Sequence, residues 1–216
     1  MLAAVIGMMF SSCEKFTSGG KVPEGAVDLG LSVYWAECNL GADYPEKWGD
    51  RYAWAETETK KDFTVFSYKW MSGTPLVYWK YTTEAYRSTV DQYGGVVDNK
   101  TQLEMDDDAA RAKLGGKWRL PTGAELKELK NECTWEWQEA AKGFRVTGPN
   151  GNSIFLPSTI SIHSTGNVEV SLGFYWSSTL CIDAPNSAWT LMFSSTGVEY
   201  KNYTRYEGCS IRPVIK

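Results

Sequence analysis

Apolar and polar positions alternate most regularly in the last third of the chain. Ala188-Trp189-Thr190-Leu191-Met192-Phe193 and Val198-Glu199-Tyr200-Lys201 are strand-like runs joined by Ser194-Ser195-Thr196-Gly197. They predict a hairpin in which Trp189, Leu191 and Phe193, two residues apart, share one core-facing side. Phe144 to Thr147 and Asn152 to Leu156, around Gly148-Pro149-Asn150-Gly151, predict another by their turn chemistry. At Thr122 the period becomes helical. Leu126 and Leu129 lie three apart, and Thr122 with Glu125 has the spacing of a capping box. Cys133, seven residues beyond Leu126, falls on the buried side of that helix. Asp106-Asp107-Asp108, then Ala109 to Leu114, then Gly115-Gly116, predict a shorter helix whose acidic start relieves the first-turn amides.

The remaining pattern is weaker. Val27 to Ala36 reads as an opening strand with a turn at Leu29-Gly30-Leu31, Tyr52 to Glu56 as a short strand, and Ser210 to Ile215 as the final one. Gly41 to Gly49 is a loop. Thr57 to about Glu104 has few periodic runs and predicts a long irregular segment, which in a compact domain either packs on itself or carries function. Met1 to Phe10 is an uncharged apolar run, too short to span a bilayer as a helix and placed where a secretory signal has its apolar core. The expected organisation is a signal peptide over 1–12, a polar tether over 13–25 and one domain over 26–216.

Three stretches, in order, carry a family resemblance: Gly115 to Leu126, Gly173-Phe174-Tyr175-Trp176-Ser177-Ser178-Thr179, and Ser210-Ile211-Arg212-Pro213-Val214. The first is similar to the Arg-Leu-Pro-Thr-x-Ala-Glu signature of formylglycine-generating-enzyme-like domains. Together they resemble the Fibrobacter succinogenes major paralogous domain of exported Bacteroidetes proteins. The resemblance runs from about Val27 to Val214, through Val27 to Ala42 and Tyr52 to Thr57. It implies an α+β, C-type-lectin-like fold of twisted antiparallel sheets, two short helices and much irregular loop, with the last strand beside the first. The chain departs from the family at Ala55, where glycine is usual, and over Ser158 to Leu172. The residues before Cys13 resemble the bacterial lipobox. That implies lipidation of Cys13, with the membrane as a partner through the lipid and the outer membrane, facing either way, as the address.

Composition narrows the chemistry. A net charge of -4 with mixed signs and no basic stripe argues against nucleic acid as a partner. Ten tryptophans and twelve tyrosines are read chiefly as core filling, with a few rings left exposed. Cys38, Cys133, Cys181 and Cys209 allow three pairings if all are bridged, and Cys181 with Cys209 is the favoured disulfide. The consecutive carboxylates at 106–108 cannot all face one ion, so no metal is expected there. No phosphate loop, metal-spaced set or dinucleotide fingerprint calls for a cofactor. His163 has serines nearby but no identifiable acid, and Cys181 and Cys209 lack the local pattern of the catalytic cysteines in formylglycine-generating enzymes. The expectation is no catalytic residue and no enzyme.

Under the C-type-lectin-like resemblance, Pro157 to Gly173 and Cys181 to Ala188 are the loops that meet a ligand. His163, Asp183 and Asn186 are their candidate ligand-binding side chains. The reading is a non-catalytic envelope lipoprotein that binds a glycan or a protein. The alternative is a structural subunit of a surface appendage or envelope complex.

Overall fold

The computed structural model describes residues 21–164 and 168–216, the side chains of 160–170 excepted. Cys13 lies outside the described residues.

The fold is α+β, with several small twisted antiparallel sheets, short helices and much loop. The opening segment is a pair of short strands, β1 (Ala26–Val27) and β2 (Tyr34–Ala36), separated by the Leu29 turn rather than one run. The long segment after Thr57 is mostly irregular, as expected, and packs its Tyr68 and Tyr78 with Ala53 in a small cluster. It contains a small ribbon, β3 (Met71–Ser72) with β4 (Val77–Tyr78), and a helix that the residue pattern did not announce, α1 (Arg87–Tyr93). Tyr52 to Glu56 is not a strand. Tyr52 makes an isolated bridge with Cys209, and Ala55 sits in the left-handed region at φ 65°. That conformation explains the glycine usual there in the resembling family. An L residue in it costs about 1–2 kcal/mol, which a buried methyl and a less free unfolded chain offset.

The two predicted helices form where expected. In α2 (Ala109–Leu114) the Asp108 carboxylate accepts from the Arg111 amide, and Gly115 ends the helix. In α3 (Gly123–Glu132) Thr122 and Glu125 make both halves of the capping box, and Leu126 and Leu129 are buried. Cys133 caps its far end, half-buried against the core, and burial pushes its thiol up to about 11.

A three-stranded sheet follows: β5 (Thr134–Gln138), β6 (Gly143–Thr147) and β7 (Ser153–Pro157), the last two being the predicted hairpin. The largest sheet has the order β11-β10-β9-β8, with β8 (Ile160–Ser164), β9 (Val168–Leu180), β10 (Ser187–Ser194) and β11 (Gly197–Thr204). The stretch Ser158 to Leu172, expected as a loop, is thus largely strand. His163 pairs with Glu169 in the ladder. The closing strand is shorter than expected. Only β12 (Val214–Ile215) is regular, and it pairs with β2.

The central strand β9 divides the core. Its alternation sends Phe174 and Trp176 to one apolar cluster with Trp54, Leu120 and Ile211, and Tyr175 to the other with Trp35, Leu126 and Leu156. Leu191 and Phe193 join the second cluster, whereas Trp189 is half-buried and stacks on Tyr200 at 4.7 Å. No disulfide links Cys181 to Cys209; both are buried free thiols. Each has separate company: Cys209 packs in the Trp54 cluster, and the Asn202 side-chain amide donates to the Cys181 sulfur at 3.5 Å. Among the described residues no helix is long and apolar enough to cross a membrane.

Candidate functional site

The three resembling stretches converge on one region. Backbone bonds join Arg119 to Val214 in both directions, and the Ser178 amide donates to the Pro121 carbonyl at 2.7 Å. Thr179 Oγ1 accepts from the Gly123 amide at 2.9 Å, which ties the start of α3 to β9. Beside this junction lies a cleft of about 450 Å³, between α2, the Lys117 to Thr122 segment, and Gln102 to Met105 from the end of the irregular segment. Its volume is that of an ordinary small-ligand site.

The cleft has an apolar interior and a cationic lining. Leu103, Met105, Trp118 and Leu120 supply the first; Arg111, Lys117, Arg119 and Lys216 supply the second. These cations are not equally available. The Arg119 guanidinium is held by two bonds to Glu125, at 2.6 and 2.8 Å. Arg111 Nη2 lies 3.3 Å from the Met105 sulfur, and Lys117 is exposed without an ion pair among the described residues. Asp108 brings the only side-chain carboxylate among the described residues of the lining, but both its oxygens are occupied, by the Arg111 and Leu120 amides. The cleft can therefore offer positive charge beside an indole.

The electrostatics of this floor are those of a scaffold. Burial raises the Glu125 carboxyl, but Arg119 and the Thr122 amide outweigh it and hold the group below the usual range. Burial dominates at Asp108 and pushes its carboxyl up despite the amides that donate to it. The signs are opposite. A depressed carboxylate stabilises the fold above its unfolded pKa of about 4.3 and loses that contribution as pH falls through the folded value; a raised one contributes at low pH and loses it as pH rises. Glu125→Gln is accordingly expected to flatten the fall in stability between about pH 5 and pH 3, read as urea midpoints across pH. An unchanged slope would show that other carboxylates carry the acid response.

Neither Asp183 nor Asn186 lines the cleft, and the His163 side chain lies outside the described ones. Asp183 and Asn186 share an exposed turn, where Asn186 Oδ1 is 3.3 Å from the Ser187 hydroxyl, and no group of three or more His, Cys, Asp or Glu able to hold a metal occurs among the described residues. The turn is held from below. Arg205 donates to the Pro185 carbonyl at 2.7 Å, and Thr83 to the Ile182 carbonyl at 2.7 Å.

The family model of the Lcl C-terminal domain matches residues 26–215. The chain belongs to that family. Membership places it among surface or cell-envelope proteins. No curated protein and no solved structure matches the chain. Within this Lcl C-terminal domain, the residue pattern missed Lys117, Trp118 and Arg111 as site residues. Lys117 and Trp118 stand within the quoted Gly115 to Leu126 stretch, but their shared cleft depends on Gln102 and Leu103 from the irregular segment. Asp107 was missed as well: it is buried and accepts from Lys80 and the Tyr81 hydroxyl at 2.6 Å each.

Proposed function

We propose that this chain is a non-catalytic binding module of the cell envelope, and that the cleft beside Trp118 takes an acidic group of a glycan or protein ligand. The observation that carries the ligand class is the lining: Arg111 and Lys117, neither with a carboxylate partner among the described residues, stand over an apolar floor whose one side-chain carboxylate, Asp108, is fully engaged. An anion there gains charge-assisted bonds, and its apolar body gains the Trp118 face. The non-catalytic reading is supported by how the polar groups of the quoted stretches are used. Arg119, Tyr175, Trp176 and Ser177 all spend their hydrogen bonds on internal partners. The kinship with major paralogous and C-type-lectin-like domains remains a proposal, supported by β12 closing beside β2. So does the outer-membrane lipoprotein address, supported by Cys13 at the end of an apolar run.

Arrays of acidic and neutral glycans and of acidic peptides, probed with the full chain, test the site. Binding is expected to favour the acidic members and to weaken with salt. In the Lys117→Glu, Arg111→Glu double variant it should fall by at least about tenfold, or 1.4 kcal/mol, with the melting temperature unchanged. Binding indifferent to both salt and charge reversal would reject the cleft.

A further inference from the structure

From a different part of the surface we infer a second binding site: the Gly41 to Asp50 loop is a platform for a neutral sugar, on which Trp48 and Tyr44 stack against the apolar faces of the rings. Isolated exposed rings are ordinary on protein surfaces. What sets these two apart is the support beneath them.

Trp48 is 51% exposed and Tyr44 52%, yet the loop that carries them is tied to the core. The Trp48 carbonyl accepts from Asn39 Nδ2 at 3.0 Å and from the Ser210 hydroxyl at 3.2 Å. Asn39 is buried. Its oxygen accepts from Arg212 at 2.8 Å, and its nitrogen also meets the Tyr175 hydroxyl at 3.1 Å. The neck of the loop is closed by the Asp50 amide on the Leu40 carbonyl at 2.8 Å. Gly41 and Gly49, at φ 81° and 70°, make that closure possible: a Cβ on Gly41 would come within 2.3 Å of the Asp50 carboxylate, and one on Gly49 within 2.4 Å of the Leu40 carbonyl. A ring on a backbone fixed in this way loses little freedom when a ligand lands on it.

The polar groups around the rings indicate the ligand class. A hollow of about 610 Å³ is lined by Tyr44, Glu46, Lys47, Trp48 and Asp50. Glu46 has no bonding partner among the described residues, and Asp50 has only a 3.5 Å contact from Tyr52. The exposed Trp48 indole N–H donates to none of them either. Carboxylates accept and never donate when ionised, so they match sugar hydroxyls, while the rings match the C–H faces. Lys47 is paired with Asp43 at 3.0 Å. With three carboxylates against one lysine, the loop repels acidic ligands and suits uncharged ones. It is thus complementary to the cationic cleft rather than an extension of it.

The test uses cellotriose, maltotriose and triacetylchitotriose, all uncharged, with the full chain labelled at its ten indole N–H groups. The Trp48 signal is assigned by its loss in Trp48→Phe. At least one trisaccharide is expected to move that signal saturably by about 10 mM, as a millimolar dissociation constant requires. Trp48→Ala and, separately, Tyr44→Ala should each weaken binding, the first by about tenfold or more, with melting temperature unchanged. The Lys117→Glu, Arg111→Glu double variant should bind the same sugar as before, so the two sites can fail separately. The inference is overturned if no trisaccharide moves the Trp48 signal by about 10 mM, or if both alanine variants bind as tightly as the parent.

Discussion

Arg205→Ala is expected to lower the free energy of unfolding by about 3–5 kcal/mol, a loss of roughly 1.5–2.5 M in the urea midpoint. Arg205 is fully buried and faces no carboxylate. It donates instead to the Tyr68 hydroxyl and to the carbonyls of Lys80, Tyr81 and Pro185, at 2.7–3.0 Å. Tyr78, Trp54 and Tyr68 present ring faces within 4.4–5.4 Å of the guanidinium. Desolvating a guanidinium is costly, and this arrangement offsets the cost with hydrogen bonds and cation–π contacts. Truncation removes the cation but leaves the carbonyls without donors, each at about 1–3 kcal/mol, around a new cavity. Arg205→Lys should recover less than half, because an ammonium on a shorter stem cannot span the same fork. A midpoint shift below about 0.5 M for the alanine variant would mean that water enters and satisfies the carbonyls.

Arg205 also shows why the fold was only partly legible in the sequence. Local signals survived: the Thr122 box, the Asp108 start, the Gly148 turn and the 188–201 hairpin are each set by residues a few positions apart. Arg205 reaches Lys80 and Tyr81 across more than a hundred residues, and nothing in the runs around either end declares it. The same holds for Tyr52 to Glu56. It read as a short strand, yet beyond the Tyr52–Cys209 bridge the Trp54 indole N–H goes to the Ser177 carbonyl and the Ala55 carbonyl accepts from the Trp70 indole, so side chains take over from a ladder. The disulfide expectation failed because spacing cannot tell a bonded cysteine from a small buried one. Cys209 fills apolar space in the Trp54 cluster, whereas Cys181 is buried elsewhere, beside the Asn202 side-chain amide.

The candidate sites were legible in proportion to how local they are. Lys117 and Trp118 lie within the stretch that carried the resemblance, but Gln102 and Leu103 on the facing wall come from a segment without period. Trp48 and Tyr44 sit in a segment correctly expected as loop. Their fixed backbone was not readable, since its support comes from Ser210 and Arg212 at the far end of the chain.

The second large effect is expected at Arg212. It is buried and gives its donors to Asn39 Oδ1 and to the carbonyls of Ala36, Glu37 and Phe155, at 2.7–3.1 Å. Burial lowers its pKa, but a guanidinium stays charged at any pH where the fold exists. Arg212→Ala should cost about 3–5 kcal/mol by the same accounting of orphaned acceptors. As Arg205 does beneath the exposed Asp183 turn, it also governs a surface. Asn39 hands the constraint on to the Trp48 carbonyl, so loss of Arg212 should speed amide hydrogen exchange over residues 40–50 more than in α3. Asn39→Ala separates the two roles. It leaves the backbone carbonyls on Arg212 but removes one of two donors to Trp48, and should cost less in global stability while loosening the loop to a similar extent. Equal exchange across the loop and α3 in Asn39→Ala would mean that the loop opens only when the whole domain does, and that the buried pair contributes to global stability alone.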